Sequence, residues 1–215
     1  MNELTKSLEF DDVKHTYRVN GVELPAVSDI ISPITYSKYR VDAAVINQAA
    51  HRGTVIHDWC MRYDLDSIGG KDEISPDIAL YLKAWKAFCH DYSPEWEYIE
   101  MPMASHEGFA GTVDRIGLID GKRCVVDIKT TSSMDRSSKV ALACQLQAYK
   151  RLAIDNGLPD MYDGFGVQLK KDGTYTVYGE VSIMQKYNFD SNKLFTRLLE
   201  FNKIVKGDKS ICLKN

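Results

Sequence analysis

Two acidic residues sit inside an otherwise apolar β-hairpin, and no other feature limits this chain's fold so strongly. Residues 109–119 read as one strand and 122–130 as the next, joined by Asp120-Gly121. Asp-Gly between apolar runs is a strong two-residue turn signal, because both positions tolerate positive φ. The first strand carries Asp114 in Gly111-Thr112-Val113-Asp114-Arg115-Ile116. The second carries Asp127 in Val125-Val126-Asp127-Ile128-Lys129-Thr130. A carboxylate among β-branched neighbours is costly to bury unless something pairs with it. Folding back about the turn sets 114 opposite 127, with cross-strand Cβ atoms about 4.5–5.5 Å apart. Two carboxylates that close repel each other unless a cation lies between them.

Lys129 completes the unit. Strand alternation places it on the face of Asp127, while Ile128 turns its side chain into the core and keeps its carbonyl available. Hard oxygen donors suit Mg²⁺ or Mn²⁺. A neighbouring ammonium can orient water and offset charge on a phosphate. On this geometry alone, a cross-strand salt bridge on a solvated sheet face explains the residues equally well.

The rest of the chain reads as mixed α/β. Residues 8–24 form a β-hairpin turning at Asn20-Gly21, and Pro25 ends it. Residues 37–50 look helical with Ser37 as a possible cap, Gly53 interrupts, and 54–63 continue as a second helix. Residues 66–75 are a loop. A helix then starts at Ser75-Pro76-Asp77, with Ile78, Leu82, Trp85, Phe88 and Cys89 on one buried face. Strands follow at 96–103, 109–119 and 122–130, a helix at 138–155, strands at 164–169 and 174–180, and a last helix at 183–206. That order predicts one central mixed sheet flanked by helices. A chain of 215 residues suits a single domain of this kind.

Composition removes several classes. No apolar run reaches the roughly 18–20 residues of a membrane span, and no apolar segment follows the N-terminus as in a signal peptide. A cytoplasmic location, with no membrane partner, is the expectation. Cys60, Cys89, Cys124, Cys144 and Cys212 are odd in number, and no two are spaced C-x-x-C. This pattern predicts reduced thiols, not a disulfide framework or zinc knuckle. Net charge is −3, yet residues 122–151 carry seven bases against two acids. Acids for metal and a basic stretch for phosphate fit an enzyme on nucleic acid; solvated helix faces explain the same charges.

Gly-x-x-Asp, a short hairpin and then Asp-x-Lys resembles the core of the PD-(D/E)XK nuclease superfamily, in its RecB-type branch of phage recombination exonucleases. Arg52-Gly53-Thr54-Val55-Ile56-His57 is similar to that branch's upstream Arg-Gly-Thr-x-x-His segment. Gln145-Leu146-Gln147-Ala148-Tyr149 is similar to its downstream Gln-x-x-x-Tyr motif. The match covers about residues 52–150, a catalytic core behind an N-terminal extension (1–36), and its elements occur in the family's order. It implies a restriction-endonuclease-like fold, DNA as substrate, and one or two Mg²⁺ or Mn²⁺ ions. His57, Asp114, Asp127 and the Ile128 carbonyl would be metal ligands, and Lys129 the catalytic ammonium. Gln145 and Tyr149, on one helix face, would position DNA beside Lys129. Arg52, Thr130 and Thr131 are candidate DNA contacts. Glu100, before the hairpin, and Glu107, in its preceding turn, are candidate additional metal acids. The four cluster-binding cysteines with which CRISPR-adaptation nucleases and some helicase-linked relatives flank this core are missing, so no iron–sulfur cluster is expected.

The expected activity is a metal-dependent deoxyribonuclease, most simply an exonuclease on DNA ends in phage-type recombination, replication or repair. The alternatives are an endonuclease of the same fold and a non-catalytic DNA- or protein-binding module. A single-strand annealing or other recombination protein as partner, and an oligomer, are compatible with the resemblance.

Overall fold

The computed structural model describes residues 1–12, 14–35, 43–70, 72–158 and 161–206, with side chains from residue 47 onward in the segment that begins at 43. A short helix α1 (Glu3–Lys6) leads into an antiparallel sheet of β1 (Leu8–Asp11), β2 (Thr16–Val19) and β3 (Val22–Leu24). The expected turn at Asn20-Gly21 is present, both residues at positive φ (52° and 75°). The hairpin is extended by β1, which makes it three-stranded. Short helical turns follow in α2 (Val27–Ile31) and at Ser32–Ile34.

The expected helix at 37–50 and its cap Ser37 fall partly outside the described residues. From Ala43 a single helix, α3 (Ala43–Asp64), runs through Gly53 without a break. Glycine costs about 1 kcal/mol inside a helix relative to alanine, and flanking turns with buried Ile56, Trp59 and Cys60 offset that through packing. Next come α4 (Pro76–Tyr92), β4 (Glu95–Ser105), β5 (Phe109–Ile119), β6 (Lys122–Lys129), α5 (Arg136–Asp155), β7 (Asp163–Leu169) and β8 (Tyr175–Gly179). The expected last helix divides into α6 (Glu180–Tyr187) and α7 (Ser191–Val205). Asn188 takes φ 52° and ends α6, and the Asp190 side chain caps α7 by accepting from Lys193 N. Asparagine tolerates the left-handed conformation, so this break leaves little trace in apolar spacing.

The central sheet runs β4-β5-β6-β7-β8. Only β6 and β7 are parallel, and α5 is the crossover between them. One face packs Val113, Ile116 and Val125 against Leu142, Leu146, Leu152 and Phe195 of α5 and α7. The other packs Val126, Ile128 and Val167 against Ile56, Trp59, Trp85 and Phe88 of α3 and α4. The N-terminal sheet joins the β4–β5 end through Tyr17, Val19, Leu24, Ala104 and Ala110. Ala110 N donates to Pro25 O at 3.0 Å. The expected mixed sheet flanked by helices, with a strand unit at its N-terminus, is therefore what the chain forms. Among the described residues, no helix is long and apolar enough to cross a membrane.

Candidate active site

The β5–β6 ladder pairs Arg115 with Val126, so the next pair in that register is Asp114 with Asp127. Both are almost fully buried, at 6% and 1% exposure. Asp114 Oδ2 accepts from Ile128 N at 2.7 Å. Strand β6 ends at Lys129, whose Nζ lies 2.9 Å from Asp127 Oδ2 and donates to Gln145 Oε1 at 2.8 Å. Gln145 Nε2 in turn donates to Tyr149 OH at 2.8 Å. The spacing of four residues on α5 thus presents both side chains to the end of β6. Asp127 Oδ2 is buried and accepts no hydrogen bond; its contact with Lys129 is ionic.

Helix α3 brings His57 to the same place. Its Nε2 lies 3.2 Å from the Ile128 carbonyl. Its Nδ1 faces Glu100 Oε1 at 3.4 Å and Asp114 Oδ2 at 3.7 Å. In the neutral tautomer with Nε2–H on the Ile128 carbonyl, Nδ1 would offer a lone pair to a metal, as metal-ligating histidines do; without a metal the facing carboxylates favour a proton there. The carbonyl oxygen has two lone pairs, so that hydrogen bond leaves one for the ligand role expected of Ile128.

Glu100 belongs to this group more firmly than its sequence suggests. His57, Glu100 and Asp114 place one ligand atom each within 4.8 Å of one another. Glu100 also has φ 47°, in the middle of β4, where a non-glycine side chain meets steric strain of order 1–3 kcal/mol. Arg115, fully buried, holds it there: Nη1 donates to Glu100 Oε1 at 2.9 Å and Nε to Asp64 Oδ2 at 2.7 Å. Asp64 lies two turns beyond His57 on α3, so Arg115 links both elements that face the cluster. Neither Arg115 nor Asp64 stands out in the sequence; an arginine on an apolar strand was the available signal.

The electrostatics describe a site with too many acids for its burial. Burial, with the charges of Asp127 and Glu100, pushes the Asp114 carboxyl up to about 7 against the opposing pull of His57. Burial lowers His57, but Asp114, Glu100 and Asp127 together outweigh it and raise the imidazole to about 9. Burial also raises Glu100, yet His57 and Arg115 hold it below its ordinary value. Burial and then the charges of Asp114 and Asp127 push Tyr149 far up, so its hydroxyl stays protonated. One buried carboxylate oxygen without a donor, and a histidine nitrogen aimed at two more carboxylates, fit a hard divalent cation.

These groups line one cleft of about 630 Å³, which contains His57, Glu100, Asp114, Asp127, Ile128, Lys129, Gln145 and Tyr149. Three expected DNA contacts lie outside its lining. Arg52 Nε is buried without a hydrogen-bond partner. Thr130 packs its hydroxyl toward Gly53, and Thr131 bonds Ser133 O at 3.1 Å. Glu107 pairs with Arg151 at 2.9 Å and not with the cluster. Much of the basic stretch is likewise paired, Arg123 with Glu97 and Lys150 with Glu180. The described cysteines are free thiols, three of them buried; Cys212 lies outside the described residues. The cleft's second wall comes from the N-terminal sheet and includes Phe10, His15 and Tyr17. The sequence reading assigned those residues no role. No protein-family model matches this chain, and no curated protein sequence does.

Proposed function

We propose that the chain is a Mg²⁺- or Mn²⁺-dependent deoxyribonuclease of the PD-(D/E)XK kind, acting as an exonuclease on DNA ends. The observation that carries this reading is the meeting, in one cleft, of an acid–histidine cluster with the Lys129–Gln145–Tyr149 chain. His57, Glu100, Asp114 and Asp127 would hold the cation, with the Ile128 carbonyl beside them. When bound, it supplies Lewis acidity and neutralises phosphate charge.

The protein's own part is positioning and proton handling. Lys129 has three N–H donors. Gln145 takes up one, Asp127 holds the ammonium by charge, and an N–H remains available to a scissile phosphate or its attacking water. An ammonium there offsets the charge that grows on phosphate during in-line hydrolysis. Gln145, fixed by Tyr149, keeps Lys129 from collapsing wholly onto Asp127. Arg115 and Asp64 keep Glu100 turned toward His57. The resemblance implies products with 5′-phosphates.

The test uses end-labelled linear duplex, linear single strand and circular DNA, each with and without Mg²⁺ or Mn²⁺, with product lengths followed over time. Metal-dependent shortening of linear DNA from its ends is expected. Cleavage of circles indicates an endonuclease instead. Binding without cleavage, under every metal tried, overturns the enzymatic reading.

A further inference from the structure

We infer that the N-terminal sheet builds a nucleobase subsite, so that the nucleotide beside the scissile phosphate is bound unpaired, with its base against His15. This rests on the nuclease reading above. The cleft has two unlike walls. One carries Asp114, Asp127 and Lys129; the other is aromatic. Phe10 and Tyr17 stack with ring centroids 4.8 Å apart and an interplanar angle of 21°. His15 stands edge-on to both, at 5.4 Å from Phe10 and 5.9 Å from Tyr17. The aromatic pair thus braces an imidazole that is itself exposed.

This wall is tied to the catalytic strand. Tyr17 OH and Thr112 Oγ1 are 2.9 Å apart, and Thr112 is two residues from Asp114. The wall carries Asp12, and Asp58 lies in the same cleft. The Asp12 carboxylate on that wall repels phosphate, so the part of a nucleotide that rests there is its uncharged base. His15 has φ 53°, a conformation histidine tolerates better than most residues. A cleft of about 630 Å³ is of the size that takes an organic group and not only a hydrated ion. Aromatic platforms beside a phosphate-binding track are how proteins hold single strands, and stacking tolerates any base. A base inside a duplex is stacked on both faces and must leave the stack to use such a platform.

The experiment combines base removal with substitution. Single-stranded oligonucleotides carrying one abasic nucleotide, moved stepwise from the end, are cleaved with Mn²⁺ by wild type, His15→Asn and His15→Trp. Asparagine keeps the backbone conformation and removes the ring; tryptophan restores a platform. Loss of one stacked base is expected to lower kcat/KM roughly 5- to 150-fold, and only at one position. His15→Asn should lower it similarly on the intact strand. The two losses should not multiply when combined, as for groups that touch each other. His15→Trp should recover at least part of the loss. Thermal unfolding of each variant confirms folding. If the intact strand is cleaved but neither change matters beyond twofold, or the losses multiply, the subsite is wrong while the nuclease reading stands. If wild type cleaves no DNA with metal, both fall.

Discussion

Lys129 and Glu100 show how much one side chain is asked to do here. Lys129 is partly buried, reaches Asp127 and Gln145, and lines the cleft in which the proposed substrate would bind. Removing a positioned proton-handling group costs about 10²–10⁴ in rate. Lys129→Ala should therefore lose about that much kcat while still binding Mn²⁺ within a few-fold of wild type, measured by titration calorimetry. A near wild-type rate would remove Lys129 from the chemistry. Glu100 gives the complementary test. Its strained backbone is kept by Arg115 and His57, and Glu100→Gln preserves shape while deleting the charge. Metal affinity should fall roughly 10- to 100-fold, the scale seen when a group around a metal is altered. Unchanged Mn²⁺ affinity would return Glu100 to a structural role and leave Asp114 and Asp127 as the two acids.

At the scale of elements, two glycines separate substrate access from packing. A Cβ on Gly53 would meet only Thr130 Oγ1, at an ordinary 3.5 Å. Since α3 is continuous through this position, Gly53→Ala should stabilise by about 0.5–1 kcal/mol. A gain in Tm with a loss of DNA cleavage would mean that substrate approaches the helix where the side chain is missing. A Cβ on Gly166 would fall 2.3 Å from Leu142 Cδ2, because α5 lies directly on β7. Gly166→Ala should destabilise by about 1–3 kcal/mol, read as a lower Tm. Equal responses at the two sites would contradict the packing described. These elements also show what the sequence made legible. Asp120-Gly121 fixes its hairpin by local turn chemistry, and Gln145 and Tyr149 share a helix face by spacing alone. The division of α6 from α7 depends on one asparagine, which apolar periodicity does not register. The docking of Tyr17 on Thr112, or of Arg115 on Asp64, joins residues far apart in sequence. No local pattern encodes such contacts, so the second wall of the cleft and the brace on Glu100 were hidden.

For the molecule as a whole, binding of the proposed cation, protonation and folding stability would be one linked equilibrium. The folded protein without metal holds His57 near 9 and Asp114 near 7, against ordinary values of about 6.5 and 3.9. Both are raised, so the folded chain binds more protons than the unfolded one and stability falls as pH rises. The His57 contribution is whole below about 6.5 and is lost as pH climbs through about 9. That of Asp114 is whole below about 4 and is gone above about 7. A divalent cation must displace the His57 proton to take its Nδ1, so its affinity should rise with pH across that window, by up to about tenfold per unit for each proton released. Metal at a hundred times its Kd adds about 2.7 kcal/mol. For a chain of this size that is roughly 5–11 °C in Tm. Thermal unfolding with fixed total Mn²⁺ between pH 6 and 8.5 should therefore show a stabilisation that is small at the acid end and grows toward the basic end. Calorimetry in buffers of different ionisation enthalpy should report proton release on binding. A metal-induced shift that shrinks with pH, or binding that releases no proton, would mean that the cation bypasses His57. The acid cluster would then be braced by its histidine and arginine and not by a metal.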